Sequence, residues 1–207
     1  MPVGIDKRRA RGDETRARIL QRASEVATTE GLNGLSMAHL AEALDLSKSG
    51  VHALFGTKEE LQLATIVAAR RRFIHVVIAP VWSEPEGLQR LQALVQSWLD
   101  YVRRREFPGG CFVTRWSAEF ASHPGRVRDA LADNKAEWLR LLAGELVAAK
   151  QRGELTAATD PEQLAFEIDG MLIAGNNGAL RGDDTALDRA SHAVAGLLAA
   201  AQSTSAA

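Results

Sequence analysis

Apolar residues return at intervals of three and four through nearly the whole chain, the spacing that lines one face of an α-helix. Ile19, Leu20, Ala23, Val26 and Ala27 form the first such stripe, and Gly31 stands where a helix-ending C′ glycine belongs. Ser36 is placed to cap a short helix whose apolar face is Met37, Leu40, Ala41 and Leu44. Asp45-Leu46-Ser47 breaks it, and Ser47 caps a second short helix carrying Val51, Leu54 and Phe55. Thr57-Lys58-Glu59-Glu60 reads as a capping box opening a longer helix toward Ala79, where Pro80 ends it. Ser83-Glu84-Pro85-Glu86 predicts the next start, followed by the stripe Leu88, Leu91, Leu94, Val95, Trp98 and Leu99. After the break at Phe107-Pro108-Gly109-Gly110, helices are predicted from about Cys111 to Ser122, from Pro124-Gly125 to about Gly153, from Thr159-Asp160-Pro161-Glu162 to Leu180, and across an Ala/Leu-rich stretch ending near Ala201. No segment alternates as a strand does. The reading is all-α, with about nine helices.

Two short helices joined by a three-residue turn make a helix-turn-helix at Ser36–Phe55, in which the first braces the second for insertion into the DNA major groove. The second helix must then be apolar inside and small or polar outside. Val51, Leu54 and Phe55 give the inner face; Ser47, Lys48, Ser49, Gly50, His52 and Ala53 give the outer. Serine and histidine can hydrogen-bond bases or phosphates, and Lys48 offers a charge-assisted phosphate contact. Lys58 opposes the macrodipole in the first turn of its helix, a poor position for helix stability and a good one for clamping phosphate beside free amides.

The formal net charge of -1 over 207 residues looks unpromising for a DNA partner, but its distribution is uneven. Lys7, Arg8, Arg9, Arg11, Arg16, Arg18 and Arg22 face only Asp13 and Glu14 across the same stretch, and a local basic face suffices to hold phosphates. With 46% hydrophobic and 25% charged residues the composition is that of a soluble globular protein. Cys111 is the single cysteine, which fits a reducing compartment, and no apolar run has the length of a signal peptide or a membrane span; the expectation is a cytoplasmic protein.

From Thr15 to Leu63 the chain resembles the TetR/AcrR family of transcriptional regulators. The resemblance rests on Ile19-Leu20, Ala23, Gly31, Leu35-Ser36, Leu40-Ala41, Ser47-Lys48, Val51, Phe55 and Lys58-Glu59 with Leu61, all in one register. His52 stands where the family usually has a tyrosine that touches phosphate. Asp45 replaces the usual turn glycine, and aspartate is among the few residues that tolerate a left-handed conformation. The resemblance implies a DNA-binding domain at 1–60 with a basic N-terminal arm, and a helical regulatory and dimerisation domain at 61–207. It also implies a ligand-responsive repressor that binds a palindromic operator as a homodimer through its last two helices and is released by a small apolar effector. The implied DNA contacts are Arg8, Arg9, Arg11, Arg16, Ser36, Ser47, Lys48, Ser49, Gly50, His52 and Lys58.

Small residues agree with close helix packing at the C-terminal end: Ala174, Gly175, Ala179, Ala190, Ala193 and Gly196, a composition that intrachain packing explains equally well. Aromatic residues in the regulatory half suit an apolar effector as well as a plain core. The candidate pocket residues are Trp82, Trp98, Phe112, Trp116, Phe120, Trp138 and Phe166, with Glu119 and Asn176 as polar anchors. Cys111, at a predicted helix start after Gly109-Gly110, is an alternative sensor of electrophiles or oxidants, or a small buried hydrophobe. The histidines His39, His52, His75, His123 and His192 are dispersed and fit no catalytic or metal-binding spacing, and there is no P-loop. A transcriptional regulator without cofactor is expected in place of an enzyme, a repressor first, with an activator as the alternative.

Overall fold

The computed structural model of the chain describes residues 3–202, and side chains from residue 10 to 202; Arg8 and Arg9, expected to touch DNA, have side chains outside the described residues. Nine α-helices and no strand are found among the described residues. They fall into two compact units, the first made of residues up to Arg71 together with Phe107–Leu131, the second of Arg72–Glu106 together with residues from Ala132 onward.

In the first unit α1 (Val3–Glu30) is followed by α2 (Met37–Ala43), α3 (Lys48–Phe55) and the start of α4 (Lys58–Phe73). The basic segment expected as an arm is thus the opening of α1 itself. Ile19, Ala23, Ala27, Leu35, Leu40, Val51, Phe55, Leu61 and Ile66 are buried, so the stripes read from the sequence do form a core. A helix from the middle of the chain, α6 (Phe112–Phe120), packs with them. Its Trp116 indole donates to Ala27 O at 2.8 Å, and Gly109 N, just ahead of it, donates to Thr28 Oγ1 at 3.2 Å. Phe107, Phe112 and Trp116 meet edge to face, with centroids 6.2 and 5.2 Å apart.

The second unit holds α5 (Leu88–Arg103), most of α7 (Arg126–Gln151), α8 (Pro161–Leu180) and α9 (Ala186–Ala201). Ahead of Pro80 the backbone widens into a π-helical turn at Ile74–Ile78 and then tightens into a 3-10 turn at Ala79–Val81, because proline supplies no N–H and crowds the preceding turn. The predicted start at Ser83 is corrected. Helix α5 begins at Leu88, and carboxylates from afar take its first amides: Glu145 accepts from Gly87 N at 3.0 Å and Glu154 from Leu88 N at 2.9 Å. Helix α8 starts as its sequence suggests, with Asp160 accepting from Glu162 N and Gln163 N and Pro161 in the first turn. Helices α8 and α9 lie so close that a Cβ on Gly178 would stand 2.4 Å from Ala186 Cβ, and one on Gly175 would stand 2.8 Å from Ala190 Cβ.

The tightest approach is in the first unit. A Cβ on Gly109 would lie 1.8 Å from Thr28 O, against backbone that cannot swing aside. Gly109→Ala should therefore destabilise the protein by about 3 kcal/mol, measured by denaturant unfolding, whereas Gly144→Ala, with nothing within 4 Å of its added carbon, should be neutral or mildly stabilising.

Candidate nucleic-acid interface

Every break that shapes the helix-turn-helix has a local chemical cause. Gly31 takes φ +90° and its N–H bonds to Ala27 O at 3.0 Å, closing α1. Ser36 Oγ accepts from His39 N at 3.5 Å at the head of α2. The turn after α2 rests on Asp45, which adopts φ +54°, while Leu46 N reaches back to Ala41 O at 2.8 Å. Ser47 Oγ then caps α3 by accepting from Gly50 N at 3.1 Å. Gly50 has a structural reason of its own: a Cβ there would come within 2.9 Å of that capping hydroxyl.

This capping sets the rotation of α3. Val51 and Phe55 are buried and Leu54 is half-buried; Ser47, Lys48, Ser49, Gly50, His52 and Ala53 are all exposed. One short helix and its N-cap thus gather five of the predicted contact residues on a single open face with no bulky side chain to hold a groove away. Arg11 is exposed on α1. Arg16, also exposed, stacks its guanidinium over the Phe55 ring at 5.2 Å, fixing a positive charge beside the end of α3. Ser36 is half-buried and serves first as a cap.

Lys58 opens α4, and its ammonium donates to Asn33 O at 2.5 Å. Two of its three donors are left for a phosphate. Thr57 performs half of the expected capping box, accepting from Glu60 N at 3.1 Å. The Glu60 carboxylate turns to Arg126 instead, 2.7 Å away, and Glu59 joins the same guanidinium at 3.1 Å. Arg126 is pushed above its ordinary pKa, chiefly by the hydrogen bond to Glu60. It balances two acids that would otherwise stand next to Lys58. Neither Arg126 nor Gln62, whose amide donates to Leu32 O at 3.0 Å, was picked out from the sequence. Both act on partners far along the chain, which local patterns do not reveal.

The nine residues suggested as an effector pocket are divided between the two units. Phe112, Trp116, Glu119 and Phe120 belong to the first unit, where Trp116 is spent on Ala27 and Glu119 accepts from Leu32 N and Asn33 N at 2.8 and 2.7 Å. In the second unit Trp98, Trp138 and Asn176 are buried, while Trp82 and Phe166 are 53% and 65% exposed. Trp82 lies under the Arg90 guanidinium at 4.8 Å. The second unit also bears an open groove of about 550 Å³, lined by His75, Val76, Pro80, Ser97, Asp100 and Arg104 among others. Cys111 is buried at the N-cap of α6.

Two family models match the chain. One, described as bacterial regulatory proteins of the tetR family, covers residues 19–65; the other, described as a tetracyclin repressor-like C-terminal domain, covers residues 87–194. The HTH-type transcriptional activator FasR of Mycolicibacterium smegmatis is 29% identical over 103 residues, which is 49% of this chain and 47% of FasR. The chain spans about half the length of that curated relative. A TetR-family regulator from Cytophaga hutchinsonii has a similar fold, with a TM-score of 0.81 at 20% identity over 94% of this chain and 98% of that one. So does AibR, solved with isovaleryl coenzyme A and operator DNA, with a TM-score of 0.70 at 23% identity over 88% and 98%.

Asp45 offers a direct check on the turn that aims α3. Asp45→Gly should hold or slightly raise the thermal midpoint, and Asp45→Val should cost about 1–2 kcal/mol, read by thermal and urea unfolding. Equal behaviour of the two variants would contradict a left-handed residue 45.

Proposed function

The chain belongs to the TetR family of transcriptional regulators, and from that premise we propose that it is a ligand-responsive repressor. It binds a palindromic operator as a homodimer and leaves it when a small apolar effector binds. The observation that carries this reading is the open face of α3. Ser47, Lys48, Ser49, Gly50 and His52 are exposed together, while Val51 and Phe55 anchor the helix from behind. Small side chains let the backbone approach the groove closely. Lys48, Arg11, Arg16 and the remaining donors of Lys58 serve the phosphates, with Arg8 and Arg9 proposed beside them, and Ser49 and His52 serve phosphate or base edges. Long side chains are scarce on this face, so sequence selection rests on few direct base contacts and on groove shape.

Two heads are needed to read two half-sites, and symmetry brings like surfaces together. Helices α8 and α9 support this role, because Phe166, Gly170, Ala174, Asn177 and Leu180 are exposed along α8, and Ala193, Gly196 and Ala200 along α9. The effector is proposed for the second unit, where Trp98, Trp138 and Asn176 supply buried aromatic and polar groups. Sensing through Cys111 is the less favoured alternative, since a buried thiol is shielded from oxidants and electrophiles. Among the described residues no group of His, Cys, Asp and Glu is arranged to hold a metal ion, and no helix is long and apolar enough to cross a membrane.

Selection of duplexes from a random pool, followed by fluorescence anisotropy, tests the reading. Wild type should select an inverted repeat, and its affinity should fall steeply with salt. Lys48→Ala should weaken binding to every duplex by a similar factor and reduce the salt slope by about one, with the thermal midpoint unchanged. Failure of the wild type to select any sequence would overturn the proposal. Ala193→Arg places a charge on the exposed α9 face and should turn a dimer into a monomer by light scattering; an unchanged mass would remove that face from the interface.

A further inference from the structure

Between α1 and the cap of α2, Leu32 and Asn33 have both of their amides and both of their carbonyls engaged by side chains from elsewhere in the first unit. Glu119 on α6 takes the two amides, Oε2 from Leu32 N at 2.8 Å and Oε1 from Asn33 N at 2.7 Å. Gln62 donates to Leu32 O at 3.0 Å, and Lys58 donates to Asn33 O. Gly31 makes room for this grip: a Cβ there would lie 3.0 Å from each carboxylate oxygen of Glu119. Two neighbouring N–H donors facing two acceptor oxygens is a task for a carboxylate. A glutamine amide has one acceptor oxygen and would turn its NH₂ group against the second donor.

The turn held in this way is the hinge of the DNA-reading element. It leaves α1 at Gly31 and delivers the chain to Ser36, from which α2 and then α3 follow. Helix α6 is in turn fixed to the end of α1 through Trp116 and Ala27. We propose that Glu119 is a positioning residue for DNA binding: it locks the 31–34 turn and so holds α2 and α3 in the orientation that the duplex requires. The proposal rests on the reading of α3 as the DNA-contacting helix. Glu119 itself touches no DNA. Its loss lowers the fraction of molecules in the competent orientation, and apparent affinity falls by that fraction.

The experiment compares full-length wild type, Glu119→Gln and Glu119→Ala by amide hydrogen exchange, by thermal unfolding, and by anisotropy on the duplex that wild type selects. Both variants should exchange faster at residues 31–36 and through α2 and α3, with α8 and α9 unchanged. Each should bind the duplex about tenfold more weakly, the scale of one lost charge-assisted hydrogen bond. The salt slope should stay at the wild-type value, because no phosphate contact is removed; Lys48→Ala supplies the contrast. A lowered thermal midpoint with unchanged affinity and unchanged exchange at 31–55, measured well below unfolding, would overturn the proposal and leave Glu119 a stabilising group only. If Glu119→Ala does not fold, the nearly isosteric Glu119→Gln decides by the same criteria. If wild type selects no duplex, the functional reading fails, and the exchange data alone still decide whether Glu119 orders α2 and α3.

Discussion

The first amides after α1 have no partner within the helix, and α6 supplies it while adding a second donor to the Ala27 carbonyl that Gly31 already closes. A helix end buried without such partners costs desolvation energy for each orphan group. Trp116 answers Ala27, the Thr28 hydroxyl accepts from Gly109, and Glu119 takes the amides of Leu32 and Asn33. Each contact lies along one edge of α6 or its leading loop, so they position one another. The demand is strict enough that residue 109 has room for glycine only. From this seam the rest of the first unit follows. The turn places α2, α2 braces α3, and the Ser47 cap rotates α3 so that its polar side faces outward.

The second unit solves the same kind of problem with the opposite helix end. Helix α5 begins without a side-chain cap of its own, and its amides are met by Glu145 and Glu154 from α7 and the turn beyond it. Burying Glu145 requires a countercharge. Arg90 provides it at 3.2 Å, while its Nε donates to Glu84 O and its face lies over Trp82. Trp82 therefore has a duty despite its exposure, as the platform of the arginine that neutralises a buried acid. Across α7 and α8 the pairing of Lys135 with the buried Asp169 obeys the same rule.

These arrangements explain what the sequence discloses and what it hides. Caps, turn residues and apolar stripes act over three or four positions. Ser36, Ser47, Gly31 and the inner face of α3 could therefore be read directly, as could a left-handed Asp45. The Glu119 bond to Leu32 spans 87 positions, and no local pattern announces it. Nor does any local pattern say which helix Phe112, Trp116 and Phe120 pack against, which depends on where α6 docks. Ser83 and Pro85 carry the local grammar of a helix start, yet α5 begins at Leu88. The amides of Gly87 and Leu88 are satisfied by carboxylates that this grammar does not include.

Small residues near the C-terminus show how one composition serves two faces. On α8, Gly175 and Gly178 point toward α9, where Ala190 and Ala186 leave no space for an added carbon. Ala174 is one position away, about 100° around the helix, and is exposed together with Phe166 and Leu180. On α9, Ala190 is buried while Ala193 and Gly196 are open. Intrachain packing thus accounts for Gly175, Gly178, Ala186 and Ala190, and it does not account for Ala174, Ala193 and Gly196. Nor does it account for a phenylalanine left 65% exposed on the same helix. A surface that is smooth, low in charge on α8 and punctuated by large apolar side chains loses little entropy when it is covered, because alanine and glycine have no rotamers to freeze. The two-fold pairing proposed for these helices draws on that remainder, the part of the pattern that the single chain leaves unused.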